Sequence, residues 1–282
     1  MQEKIFVVTG ANSGVGFEAT RTLARAGASV VLACRNLERG QAALARIRGK
    51  TGNPKLTLMA LDLARLDDVR AFASRVRERF GRLDGLVNNA GIYSSRLGRT
   101  VDGFESTMAT NHLGPYLLTR LLEETLAGSS VGVVNVSSEA HRRGDLRRRP
   151  LPEIFRGDGK YGAIQAYSDS KLANLLLTFE LGRRWRPRDI RANALHPGVL
   201  ATRIWNHNRD PLSLLIRLFK PLMAAPEKGG ESVMRVIAAA QEGTNGSYFK
   251  GTERVQASKA AYDEELATCL WEESERATGL RD

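Results

Sequence analysis

Short runs of apolar and β-branched residues alternate along this chain with longer stretches whose apolar positions recur every three or four residues. The short runs predict strands over 4–9, 29–34, 55–60, 84–88, 131–136, 190–195 and 246–250. The periodic stretches predict helices over 14–27, 38–50, 66–80, 103–127, 165–185 and 227–241. Such alternation implies parallel strands joined by right-handed crossovers. The runs V-V-T-G, V-V-L-A and V-G-V-V-N-V show no regular apolar–polar alternation, as expected of strands covered on both faces. There is no internal repeat and no Gly/Ser linker. The expected architecture is therefore one α/β domain over 1–282, a doubly wound, mostly parallel seven-stranded sheet with helices on both faces.

Two segments break the pattern. Residues 139–164 are charged and contain glycine, and residues 199–226 hold the apolar stretch L-S-L-L-I-R-L-F-K-P-L-M. The second reads as a lid or wall over a greasy substrate, with Phe219 in it. A packed helix and a weak peripheral membrane contact at 212–223 are its other readings.

The 282 residues are 42% hydrophobic, enough for a substantial core without disulfide or metal. The two cysteines, Cys34 and Cys269, form no metal-ligand spacing, and no His/Cys cluster or H-E-x-x-H appears. Free thiols, no metal and a cytoplasmic location are expected. The chain opens M-Q-E-K directly into a strand, without signal-peptide order, and no run reaches the roughly 18 apolar residues of a membrane span. Net charge is +11. The positive residues are spread out apart from R-R-G-D-L-R-R-R at 142–149 and R-R-W-R-P-R at 183–188, and no nucleic-acid signature accompanies them. Arginine-rich surface is the preferred reading, with no nucleic-acid partner.

Candidate chemistry begins where the first strand ends, in Thr9-Gly10-Ala11-Asn12-Ser13-Gly14-Val15-Gly16. Gly10 permits a tight exit, Gly14 lets backbone approach a pyrophosphate, and Gly16 lets the helix pack close. The helix N-terminus then offers free N–H groups to phosphate, as in a Rossmann-type dinucleotide site. After the second strand stand Cys34, Arg35 and Asn36, with no carboxylate to accept from ribose hydroxyls. Arg35 suits a 2′-phosphate, so NADP(H) is expected rather than NAD(H). Tyr167 and Lys171 lie four apart in A-Y-S-D-S-K-L-A-N, on one face of a helix. An ammonium there is expected to lower the phenol pKa and ready it for acid–base work on a carbinol or carbonyl.

With N-N-A-G at 88–91 and N-V-S-S at 135–138, these elements in this order resemble the short-chain dehydrogenase/reductase family. A-C-R-N, N-V-S-S-E-A-H, Y-S-D-S-K-L-A-N, H-P-G-V and A-P-E-K-G are similar to its retinol-dehydrogenase-like branch. That resemblance implies Tyr167 as general acid/base and Lys171 as ligand of the nicotinamide ribose. It implies Ser138, with Ser137 as the alternative, as donor to the substrate oxygen, and Asn111 as holder of a relay water. It places Asn88, Ala90 and Gly91 beside the adenosine end, and Asp62 with Leu63 at the adenine. Pro197, Gly198, Val199 and Thr202 fall beside the nicotinamide. It further implies a small lipophilic alcohol, aldehyde or ketone as substrate, and homodimers or homotetramers through 103–127 and 165–185.

The histidines are His112, His141, His196 and His207, and no G-x-S-x-G nucleophile turn accompanies them. His196 and His207 are expected to wall the site or lie at the surface. Besides an NADP(H)-dependent oxidoreductase, two other classes remain: an NADP(H)-binding regulator without turnover, and a basic adaptor.

Overall fold

The computed structural model describes residues 1–198 and 227–280. Its strands are β1 (Ile5–Thr9), β2 (Ser29–Cys34), β3 (Leu56–Ala60), β4 (Gly85–Asn88), β5 (Gly132–Val136), β6 (Ala192–His196), β7 (Ser247–Lys250) and β8 (Glu253–Val255). They form one sheet in the order β3-β2-β1-β4-β5-β6-β7-β8, and every pairing is parallel except β7 with β8. The order reverses between β1 and β4, which opens a crevice at the carboxyl ends of the strands.

Alternation along β1 shows how the sheet is covered. Phe6 and Val8 face one layer, built by α1 (Gly14–Arg25), α2 (Leu37–Thr51) and α9 (Glu227–Gln241). Val7 faces the other, built by α3 (Leu66–Phe80), α5 (Gly114–Leu121) and α8 (Ala163–Arg184). The doubly wound class read from the sequence is the observed one.

The seven-stranded expectation needs correction, because the sheet has eight strands. β8 is a three-residue antiparallel edge that folds back through Gly251 at φ +60°. A strand so short and polar carries no periodic signal.

The single helix expected over 103–127 is also interrupted. It resolves into α4 (Ser106–Met108), a π-helical turn (Ala109–Leu113), α5, and α6 (Glu123–Leu126). Pro115 has no N–H to give the Asn111 carbonyl, and the Gly114 N–H bonds instead to Ala109, five residues back. Outside the expected elements lie a 3₁₀ turn (Glu139–Arg143), α7 (Leu151–Arg156) and α10 (Glu264–Thr278). The last is capped by the Asp263 side chain, which accepts from the Leu266 N–H, and it ends at the left-handed Gly279. Trp271 of α10 packs edge-on to Tyr116 of α5 at 5.3 Å.

The π-turn is held close to the exit of β3. A Cβ built on Gly114 would lie 2.2 Å from the Leu63 carbonyl oxygen, a contact with backbone that cannot swing away. Gly114→Ala is expected to lower unfolding stability by about 1–3 kcal/mol in urea melts. An unchanged midpoint would show that the approach is looser than described.

Candidate active site

The site occupies the carboxyl ends of β1, β2, β4, β5 and β6. After β1, Gly10 and Gly14 adopt φ of +65° and +55°, open to glycine at no steric cost. Gly16 is crowded: a Cβ there would meet Asn89 Nδ2 at 2.4 Å and the Gly10 carbonyl oxygen at 2.5 Å. Ser13 sits at the N-cap of α1 but makes no side-chain cap bond, and no acidic residue lies in the first turn. The first amides of α1 thus lack the partners that a capping side chain supplies, which suits an incoming phosphate. Asn12, Ser13 and Gly14 are half-buried, and Val15 is buried in the core.

Cys34 ends β2 beneath this turn, within hydrogen-bond reach of the Ala11 and Asn12 amides, and burial pushes its thiol up to about 11. Arg35 is exposed just beyond it. Asn36 is committed locally, its side chain accepting from the Arg39 N–H at 2.8 Å to cap α2. Asp62 makes an Asx turn, accepting from the Ala64 N–H at 3.0 Å, with Leu63 buried next to it.

After β4, Asn88 and Asn89 part company. The Asn88 side chain points into the α5/α8 layer, donating to Thr119 and to Asn135, each at 2.9 Å. Only its backbone is therefore available at the crevice. Asn89, not singled out from the sequence, braces the glycine turn by donating to the Thr9 carbonyl at 2.8 Å. The doubled asparagine in N-N-A-G was the signal for it. Ala90 donates its N–H to the Thr9 hydroxyl at 3.0 Å. Gly91 leaves space where a Cβ would come within 3.1 Å of Asn111 Oδ1 and 3.5 Å of Lys171 Nζ.

The π-turn delivers Asn111, which is almost fully buried. Its Oδ1 accepts from the Ile92 N–H at 2.8 Å, and its Nδ2 donates to the Ile92 carbonyl and the Ser170 hydroxyl, both at 3.0 Å. From α8, Lys171 is 3% exposed and donates to the Val136 carbonyl at 3.0 Å. Its Nζ stands 5.6 Å from the centre of the Tyr167 ring. The Tyr167 hydroxyl hydrogen-bonds the Ser138 side chain. Ser137 is turned away, donating to the Lys171 carbonyl at 2.8 Å. Geometry thus brings Ser138, not Ser137, to the tyrosine. Tyr93 meets Tyr167 edge-on at 6.0 Å.

The protonation states differ from the sequence expectation. Burial dominates and pushes the Tyr167 phenol up to about 12, with only the Ser138 bond acting the other way. Burial likewise brings Lys171 down to about 8. A lone ammonium at this distance does not offset the loss of water around the phenol. His196 is buried rather than at the surface, and is brought down to about 4, chiefly by desolvation. Pro197 and Gly198 are half-buried beyond β6, whereas Val199, Thr202, His207 and the 199–226 stretch with Phe219 lie outside the described residues.

A switch-point crevice with a glycine turn on one side and a Tyr–Lys helix face on the other defines an oxidoreductase with an NAD(P)-type dinucleotide site. Residues 4–147 match the family model described as short chain dehydrogenase. The chain is 39% identical over 280 residues to retinol dehydrogenase 12 of Mus musculus, covering 99% of this chain and 87% of that protein. It is 39% identical over 284 residues to retinol dehydrogenase 13 of Homo sapiens, covering 98% and 85%. A crystal structure of a Mycobacterium paratuberculosis protein superposes with a TM-score of 0.75 at 35% identity, covering 99% of this chain and 94% of that one. The chain belongs to the short-chain dehydrogenase family and, within it, is retinol-dehydrogenase-like.

Lys171 ties stability to pH. Its folded pKa of about 8 lies below the ordinary 10.5, so the unfolded chain binds more protons between those values. Wild-type stability therefore rises with pH across that window. Lys171→Met should stabilise the protein at pH 7 by at most about 3 kcal/mol, and the gain should fade towards pH 10.5. A Met variant less stable than wild type at pH 7 would refute the cost assigned to the buried ammonium.

Proposed function

We propose that this protein is an NADP(H)-dependent oxidoreductase that interconverts a lipophilic alcohol and its aldehyde or ketone. The observation that carries this reading is the Ser138–Tyr167 hydrogen bond beside the buried Lys171 amine. Lipophilic alcohols are the substrate class in the names of the retinol dehydrogenases it is similar to. Arg35, exposed at the tip of β2 where the sequence V-V-L-A-C-R-N offers no carboxylate, favours the 2′-phosphate of NADP(H).

The Gly10–Gly16 turn and the α1 amides would hold the pyrophosphate, and Lys171 would bind the nicotinamide ribose; Gly91, expected beside the adenosine end, instead adjoins Lys171 and would leave room at that ribose. When bound, the reduced nicotinamide supplies hydride to the carbonyl carbon. Ser138 Oγ–H and Tyr167 Oη–H both donate to the carbonyl oxygen as it gains charge. Tyr167, kept protonated by burial, then delivers its proton to that oxygen. This state suits reduction, the direction in which the phenol must begin neutral. Lys171, titrating near 8, returns the proton to Tyr167. The Asn111 carbonyl, without its α-helical donor at Pro115, would hold a water behind the lysine. Asp62, Leu63, Asn88 and Ala90 fall towards the adenosine end, with Asn88 contributing backbone alone. Val199 and Thr202 retain the nicotinamide-side roles that the family resemblance implies.

A regulator without turnover would need no buried proton-handling set. The adaptor reading weakens for a different reason. In the first basic run Arg142 pairs with Glu139, Arg147 with Asp263 and Glu265, and Arg148 with Asp169. In the second, Arg183 and Arg184 pair with Glu180, and Arg188 with Glu123 and Glu124. These cations are largely committed within the chain. No helix among the described residues is long and apolar enough to cross a membrane.

NADPH oxidation across a panel of retinal, aliphatic aldehydes and ketones tests the reading, and no turnover on any of them would end it. Tyr167→Phe should cut kcat by roughly 10²–10⁴-fold while NADPH affinity holds; a variant keeping most of its rate would remove the tyrosine from the mechanism. Arg35→Ala should weaken NADPH far more than NADH, and equal losses would discard the phosphate argument.

A further inference from the structure

His141 is fully buried and lies three residues beyond Ser138, in the 3₁₀ turn that Ser138 caps. Its backbone N–H donates to the Ser138 carbonyl at 3.0 Å, and its ring Nδ1 stands 2.7 Å from the same oxygen. The other ring nitrogen, Nε2, lies 3.1 Å from the backbone nitrogen of Ser258. A backbone amide can only donate, so Nε2 must accept. The ring proton then belongs on Nδ1, where it is donated to the Ser138 carbonyl. One residue thus presents two donors to one carbonyl.

The ring has little freedom. Tyr248 of β7 packs edge-on against it at 5.2 Å and 78°. Burial favours the uncharged imidazole, and a second ring proton would face the Ser258 N–H. On the opposite side of the same residue, Ser138 Oγ accepts from the Ala140 N–H at 3.2 Å and bonds Tyr167. The carbonyl and the hydroxyl of Ser138 are therefore each fixed from within one turn.

We infer that His141 is a positioning residue: its Nδ1–H bond to the Ser138 carbonyl sets the backbone that aims the Ser138 hydroxyl, and Nε2 ties that backbone to the Ser258 segment between β8 and α10. This rests on the reading of Ser138 as donor to the substrate oxygen.

Nitrogen-15 NMR of the imidazole in wild-type protein at pH 7 tests the bond directly. A neutral, Nδ1-protonated ring is expected for His141, assigned by loss of its signals in a His141 variant. A charged or Nε2-protonated ring would overturn the inference. Two substitutions test the consequence. The amide of His141→Asn reaches the Nδ1 position, and that of His141→Gln reaches Nε2. His141→Gln should lose roughly tenfold to a hundredfold in kcat with NADPH affinity unchanged, as for a reacting group displaced by a fraction of an ångström. His141→Asn should recover most of that loss. Equal kcat in the two variants, or a loss confined to NADPH affinity, would overturn the positioning role. Wild-type protein inactive on every carbonyl would sink the reading of Ser138, whereas the imaged tautomer would still decide the His141 bond.

Discussion

The constraint on which the site depends is the burial of an amine and a phenol together on one face of α8. Lys171 is almost sealed from water, and its Nζ has the Val136 carbonyl as partner rather than a carboxylate among the described residues. A folded protein tolerates this only when the surrounding frame is rigid enough to hold the group there. The frame is visible. β5 supplies Val136 and runs on into Ser137 and Ser138, so the strand that satisfies the lysine also places the serine. Ser137 locks back onto the Lys171 carbonyl. The π-turn sets Asn111 against Ser170, one residue before the lysine. Helix, strand and turn thus meet in one small polar knot inside an apolar core.

Much of this was legible from the chain. Apolar runs long enough to be strands and broken by periodic helices specified the parallel order, because burial on both faces removes polar alternation. The glycines of the first turn, Arg35, and the four-residue spacing of Tyr167 and Lys171 carry local geometry that survives folding. Other features depend on partners distant in sequence. The side chain of Asn88 turns away from the crevice because Thr119 and Asn135 claim it. Asn89 matters because Gly10 and Gly16 close on it. The Tyr167 phenol is raised, not lowered, because desolvation at a buried helix face exceeds the opposing effect of the Ser138 hydrogen bond. The helix over 103–127 was expected whole, although Pro115 breaks its ladder and a π-turn forms just before it. α10 had its cap and its terminal glycine in plain view, yet was not among the expected helices.

The net charge of +11 also acquires a structural sense. Arg147 bridges to Asp263 and Glu265, Arg183 reaches Glu264, and Arg120 bonds Glu275 at 2.8 Å. Arg183 fastens α10 to α8 and Arg120 fastens it to α5, while Arg147 ties its N-terminus to the segment before α7. The solvent-facing pairs among them are weak and are weakened further by salt. The apolar contacts of Leu266, Leu270 and Trp271 carry more of the docking. α10 therefore covers helix surface that the sequence left as a candidate subunit contact.

The most direct measurement is a crystal structure of the protein with NADP⁺ and an alcohol or a carbonyl analogue. The expected result is a nicotinamide ring in the crevice, with the ligand oxygen within hydrogen-bond reach of both Tyr167 Oη and Ser138 Oγ and with Lys171 Nζ on the ribose. A dinucleotide whose nicotinamide lies away from these three groups would contradict the assignment of Tyr167, Lys171 and Ser138 to the chemistry.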